Sequence, residues 1–234
     1  KPELELNMLS LKAFPQQYES YYNDAFPFRD FFITNYNKLN VNFIKESPVE
    51  TVIMGKGRWL FYTGDRTMED FQGQILFTQE ELEKIRINLE EQRDWLKARG
   101  IDYYVMVAPN KESIYSEYLP NKYRKAEKTR LDQVIEYLEQ HSDFQLIDPR
   151  QAIMAGKEEE RKYHYTDTHW NHSGAYDAYR LLMTKISEKW PNLTPISKDN
   201  FEMHAFDGNG GDLANMLAMS DIIQEEWITY QPKF

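Results

Sequence analysis

The chain has 234 residues, 41% hydrophobic and 15% aromatic, which supports a sizeable core and excludes a disordered polymer. A formal net charge of −10 argues against a nucleic-acid partner, because neutralising phosphates takes clustered Lys and Arg. With no cysteine there is no disulfide frame, no thiolate metal site and no cysteine nucleophile.

Residues 1–12 read as an irregular lead-in. Pro15 suits the first turn of a helix carrying Tyr18, Tyr21 and Tyr22, which Pro27 interrupts. Phe28, Phe31, Phe32, Tyr36 and Leu39 then recur at one helical face, a stripe whose simplest role is an aromatic core face. Thr51–Met54 and Trp59–Tyr62 flank Gly55-Lys56-Gly57 and predict a β-hairpin. Residues 64–77 read as loop. Thr78 and Glu81 form a capping box ahead of Leu82, Ile85, Leu89 and Leu96, so a helix is expected to run to Gly100.

Ile101–Val107 reads as a central strand running into Ala108-Pro109-Asn110-Lys111. Loops at the carboxyl ends of parallel strands are where open α/β sheets bind ligands, so Asn110 and Lys111 are candidate site residues; an ordinary turn is the plainer alternative. Leu131, Val134, Ile135 and Leu138 give a further helix, and Phe144–Ile147 a further strand. This alternation predicts an α/β fold with a parallel, doubly wound sheet flanked by helices. Residues 157–162 are a charged surface run, and Ala175 to Trp190 carry the last long helix, stopped by Pro191. In the tail, Asp207-Gly-Asn-Gly-Gly-Asp212 lacks the spacing and lysine of a phosphate loop. It could offer Asp207, Asn209 and Asp212 to calcium, but reads more simply as a flexible turn. Leu213–Met219 suggests a short helix and Trp227–Tyr230 a strand.

The densest chemistry lies in Tyr163–Tyr179, which gathers three histidines, two aspartates and several hydroxyls where a helical pattern begins. Asp167 and His169 are one residue apart, so both side chains can lie on one side of an extended segment. A carboxylate there can fix one imidazole nitrogen and leave the other as a base. Two alternatives stand beside that reading. His164, His169, His172 and Asp167 are acceptable zinc ligands, although their spacing matches no zinc signature. Or Asp167, Thr168 and Ser173 cap the helix while the histidines satisfy backbone groups.

Tyr165-Thr-Asp-Thr-His-Trp-Asn171, followed by Gly174-Ala-Tyr, resembles the signature of the alginate O-acetyltransferase family of the AlgX and AlgJ type. Asn23–Asp30, Gly55–Tyr62, Val107–Tyr115 and Gly211-Asp-Leu-Ala214 agree in the same order, so the resemblance covers nearly the whole chain. It implies an SGNH-hydrolase-like (flavodoxin-like) domain over residues 1–234, with a helical lead-in at 1–50 and an α/β core at 51–234. It also implies O-acetyl transfer to a polysaccharide outside the cytoplasm, with no metal or other cofactor. The acetyl donor would be delivered by a membrane-bound protein, and the chain exported or anchored through a segment ahead of Lys1. Carried over, Asp167 orients and His169 is the base, with Tyr165, Trp170 and Asn171 as neighbours that contact substrate. The family's nucleophilic serine follows a later strand, and no matching motif occurs before Phe234. Ser220 lies in an unlike context and Ser173 in a variable position. A truncated transferase is therefore expected; the alternative is a noncatalytic polysaccharide-binding or assembly protein of the same fold.

Overall fold

The computed structural model describes residues 1–3 and 7–233, so residues 4–6 of the expected lead-in lie outside the described part. Helix α1 (Met8–Ala25) begins well ahead of Pro15, because Asn7 accepts the Ser10 amide as an N-cap; Pro15 sits inside the helix rather than at its start. α2 (Arg29–Leu39) follows and widens into a π-helical turn over Asn40–Ile44. Its stripe does not form a core face: Phe28, Phe31, Phe32, Tyr36 and Leu39 are 57–64% exposed. The opposite face is the attached one, where Asn37 and Thr34 donate to the carbonyls of Leu217 and Ala218.

The predicted hairpin forms as β1 (Val52–Met54) and β2 (Leu60–Tyr62), antiparallel with Ile53 opposite Phe61. Gly57 supplies the positive φ, 66°, that its turn requires. Alternation along the hairpin sends Ile53 and Phe61 into a cluster with Trp59, Ile114, Ile153 and Tyr163. Val52 and Leu60, on the other face, pack with Leu213, Ala214 and Leu217. The hairpin is thus the partition between two cores, and the Leu60 amide donates to the Tyr165 carbonyl at 2.8 Å.

The region expected as loop at 64–77 contains a 3-10 turn and α3 (Thr67–Phe71). α4 (Gln79–Lys97) starts at the expected Thr78–Glu81 capping box, and α6 (Arg130–His141) starts at a second one, Thr129–Asp132. Both pack around Leu82, Val134, Leu138 and Phe144. Between them lies α5 (Lys111–Ile114); α7 (Arg150–Ala155) and α8 (His172–Lys189) follow.

The parallel sheet is reduced to one bridge. Met106 pairs with Ile147, held by Val107 N–H to the Ile147 carbonyl at 3.2 Å and Ile147 N–H to Val105 at 2.9 Å. Among the described residues each segment pairs with the other alone, and Ile101 and Tyr104 are exposed, so the described pairing stops at this bridge. The described residues otherwise hold two two-stranded antiparallel sheets. The second pairs β3 (Phe201–Asn209) with β4 (Gln224–Pro232), and α9 (Asp212–Met216) lies between them. Asp207–Asn209 therefore belong to a strand rather than to a flexible turn.

Candidate active site

The Tyr163–Asn171 stretch is held from three sides. The antiparallel bridge between Tyr163 and Trp170 closes it into a loop, and the buried Tyr163 hydroxyl donates to the Pro109 carbonyl. From α5, the buried Lys111 ammonium donates to the carbonyls of His164 (3.0 Å) and Tyr165 (3.2 Å). From β4, the fully buried Glu225 carboxylate accepts the amides of Tyr165 (3.2 Å) and Thr166 (2.7 Å), the Thr166 hydroxyl (2.7 Å) and Arg161 Nη1 (2.7 Å).

The Gly-Asp-Leu-Ala segment docks on the same loop. The Thr166 carbonyl accepts the Leu213 and Ala214 amides at 3.0 and 3.2 Å, and its hydroxyl accepts the Gly211 amide at 2.9 Å. These are first-turn N–H groups of α9, which have no partner within their own helix. Asp167 completes the cap: its Oδ2 accepts the Asp212 amide at 3.0 Å.

The other oxygen of Asp167 serves His169. Oδ1 lies 2.7 Å from His169 Nδ1 and accepts the His169 amide at 2.9 Å. Burial alone would raise the Asp167 pKa, but the Asp212 and His169 amides and the His169 ring outweigh it and hold the carboxyl below its usual range. A charged acceptor at Nδ1 favours the tautomer with the proton there, leaving the Nε2 lone pair for a substrate or nucleophile proton. The side chains are suited to those roles: Asp167 is 14% exposed and His169 77%.

Asp212, which the sequence offers only as a candidate calcium ligand, belongs to this site. Its carboxylate accepts the Thr168 amide at 2.7 Å and the Thr168 hydroxyl, and Oδ2 lies 3.8 Å from His169 Nδ1. The sequence does not single out Glu225, and it ties neither residue to this loop, because both meet it only through the fold. The available signal was the Gly-Asp-Leu-Ala segment itself. Asp167, His169 and Asp212 offer ligand atoms within 4.8 Å of one another, a donor set that could hold a cation. The zinc set drawn from sequence does not assemble: His164 is buried 4.4 Å from the Trp227 ring, and His172 Nδ1 accepts the Tyr230 amide. Nor does the calcium set, since Asn209 donates to Asp221 while Asp212 holds Thr168.

The remaining candidates divide. Tyr165 is half-buried, its ring edge-on to Trp59 at 4.8 Å and beneath the Arg161 guanidinium at 3.9 Å. Trp170 packs against the hairpin core. Asn171, not Ser173 or Asp167, caps α8: it accepts the Gly174 amide and donates to the Arg161 carbonyl. Ser173 is buried, donating to Glu160 at 2.7 Å and accepting from Lys162. Asn110 is exposed at the start of α5, apart from this hydrogen-bond network, and Lys111 lies beneath the loop rather than beside His169. Desolvation pulls the Lys111 ammonium down to about 7 despite the opposing charges of Glu225, Asp167 and Asp212. Its neighbour Glu112, also buried, is pushed up to about 7 by desolvation, and its Oε1 has no hydrogen-bond partner.

The chain is 25% identical over 175 residues to the probable alginate O-acetylase AlgJ of Pseudomonas syringae pv. tomato, covering 74% of this chain and 42% of that protein. With the probable alginate O-acetylase AlgJ of Pseudomonas fluorescens it shares 24% identity, over 88% of this chain and 51% of the relative. It thus spans about half the length of these curated relatives. The solved structure of Bacillus cereus PatB1 superposes with a TM-score of 0.56 at 20% identity, over 78% of this chain and 58% of that one, a likeness of fold. Among the described residues, no helix is long and apolar enough to cross a membrane. The family described as SGNH hydrolase-like domain, acetyltransferase AlgX, matches residues 52–232, and with that much of its length inside the match the chain belongs to this family.

Proposed function

We propose that this chain carries the histidine and aspartate of a serine-dependent centre that O-acetylates a polysaccharide outside the cytoplasm. The observation that carries the reading is the 2.7 Å contact between Asp167 Oδ1 and His169 Nδ1, on a loop pinned by Lys111, Glu225 and α9. The serine is supplied from outside these 234 residues. Nε2 of His169 takes the proton of the serine hydroxyl as its oxygen attacks the acetyl carbonyl, and then returns that proton to the departing donor oxygen. In the second half, Nε2 takes a proton from a sugar hydroxyl as its oxygen attacks the acetyl carbonyl of the acetyl-serine. The bond from that carbonyl to the serine oxygen breaks, the acetyl group stays on the sugar, and the serine oxygen recovers its proton from Nε2. Asp167 stays ionised and steadies the imidazolium in both halves.

The names of the relatives, probable alginate O-acetylases, support O-acetylation of a polysaccharide. An acetyl donor, a membrane-bound delivery protein and a location outside the cytoplasm are proposed together with that reading. The Met106–Ile147 bridge supports a parallel sheet through 101–107 and 144–147, within one α/β unit over 51–234. Tyr165 and Trp170 are proposed to border the acceptor site; Asn171 and Lys111 shape it from behind.

Joining the chain to a family-matched serine-bearing segment should give hydrolysis of an aryl acetate that His169→Ala abolishes. Activity retained in that variant would remove His169 from the mechanism. One observation favours a noncatalytic reading: among the described residues, the hydroxyl beside the His169 ring is that of Thr168, at 3.2 Å from Nδ1, on the side facing the carboxylates. That reading requires polysaccharide affinity unchanged by His169→Ala and no esterase activity in the joined protein.

A further inference from the structure

We propose that the α1–α2 arm is a self-association surface, occupied by the same arm of a second copy of this chain. None of the 18 residues of α1 is buried, and Pro15 interrupts its hydrogen-bond ladder. A helix of that length without tertiary support is marginal in water, so its apolar face needs a partner. α2 is fixed to the body through Asn37 and Thr34, which turns its aromatic stripe outward.

Composition and charge identify the occupant. Residues 8–44 hold three basic residues (Lys12, Arg29, Lys38) and three acidic ones (Glu19, Asp24, Asp30), while the whole chain carries −10. The arm is therefore the neutral part of an acidic molecule, where two copies can approach without the repulsion their bodies would meet. Its charge depletion and abundance of Tyr and Phe match the cores of protein interfaces. A membrane-surface helix would instead carry Lys and Arg along its polar face, whereas this one carries mainly Asn, Gln and Ser. The area is sufficient. Phe28, Phe31, Phe32, Tyr36, Leu39 and Phe43 are each more than half exposed, and at about 200 Å² per large side chain they offer roughly 700 Å² per copy. A standard interface buries about 800 Å² per partner.

The test is sedimentation equilibrium on the whole chain between roughly 1 and 100 µM, with Phe31→Ser/Tyr36→Ser as the variant. The expected result is a rise to twice the monomer mass, with association weakened at least about tenfold in the variant. Both substitutions lie on the exposed stripe, so an unchanged far-ultraviolet circular dichroism spectrum for the variant shows that its fold is intact. Should the double variant unfold, Phe28→Ser alone is measured in the same way. A wild-type chain that stays monomeric throughout overturns the proposal, as does a dimer that the folded variant retains. Flotation of a monomeric wild-type chain with phosphatidylcholine vesicles overturns it in favour of a lipid surface.

Discussion

Gly211 stands so close to Asp167 that a methyl on its Cα would lie 2.4 Å from the aspartate Cβ and 2.6 Å from its Oδ2. The contact lets the Asp212 amide reach the carboxylate, and it lets the first turn of α9 close over Thr166. Gly211→Ala should therefore push Asp167 away from His169. The expected cost is about 1–3 kcal/mol of stability, as for other overpacked sites. Displacing a catalytic group in this way should lower turnover on the order of 100-fold. Thermal unfolding with an aryl acetate assay of the joined protein checks both, and an alanine variant with unchanged activity would show that the approach is not needed.

Glu225 is the buried counter-charge of Arg161 and the acceptor for two loop amides. Glu225→Ala leaves a guanidinium only 9% exposed without its main partner. Urea unfolding should show a loss of roughly 3–5 kcal/mol, the usual result of removing one member of a buried pair. A loss of under about 1 kcal/mol, the range of surface pairs, would contradict this role.

The same carboxyl sets an acid limb. Burial raises its pKa, but the His164 ring, the Thr166 hydroxyl and amide and the Arg161 charge together bring it down to about 2 from 4.5. A folded state that binds the proton more weakly than the unfolded chain gains stability where the group is ionised. The contribution of Glu225 is therefore fully present above about pH 4.5 and lost as the pH falls towards about 2. Unfolding midpoints measured down that range should drop for the wild type, with a smaller drop in Glu225→Gln.

Glu112 works in the opposite sense. Desolvation lifts it to about 7 from 4.5, so between those values the folded state keeps a proton that the unfolded chain has released. Stability should fall as pH rises through this window, and Glu112→Gln should remove that decline. Midpoints at about pH 5 and about pH 8 decide it; a variant with the wild-type slope would place the burden on another group.

The local signals in the sequence translated into structure where the physics is local. Thr78 with Glu81 is a capping box because both partners lie within one turn, and Gly57 marks the hairpin because its φ does. Asp167 and His169 meet because one intervening residue brings them together. Spacing could not show what the fold brings from afar: Asp212 and Glu225 reach the same loop across 44 and 59 positions. Nor could periodicity show what covers a face. The Phe28–Leu39 stripe shares one side of α2 as expected, yet that side points outward because Asn37 and Thr34 anchor the other. The 101–107 run is apolar enough for a central strand, but a ladder needs neighbours, and among the described residues Ile147 alone provides the bridge.

The most direct measurement is the rate of aryl acetate hydrolysis by the joined, serine-bearing protein, comparing wild type with His169→Ala at matched thermal stability. His169 is exposed and replaceable without cutting into a core, so a change in rate reports chemistry rather than folding. Removing the base should lower the rate by about 100- to 10,000-fold. Hydrolysis within about twofold of wild type would contradict a base at His169, and with it the acetyl-transfer role of the Asp167–His169 pair.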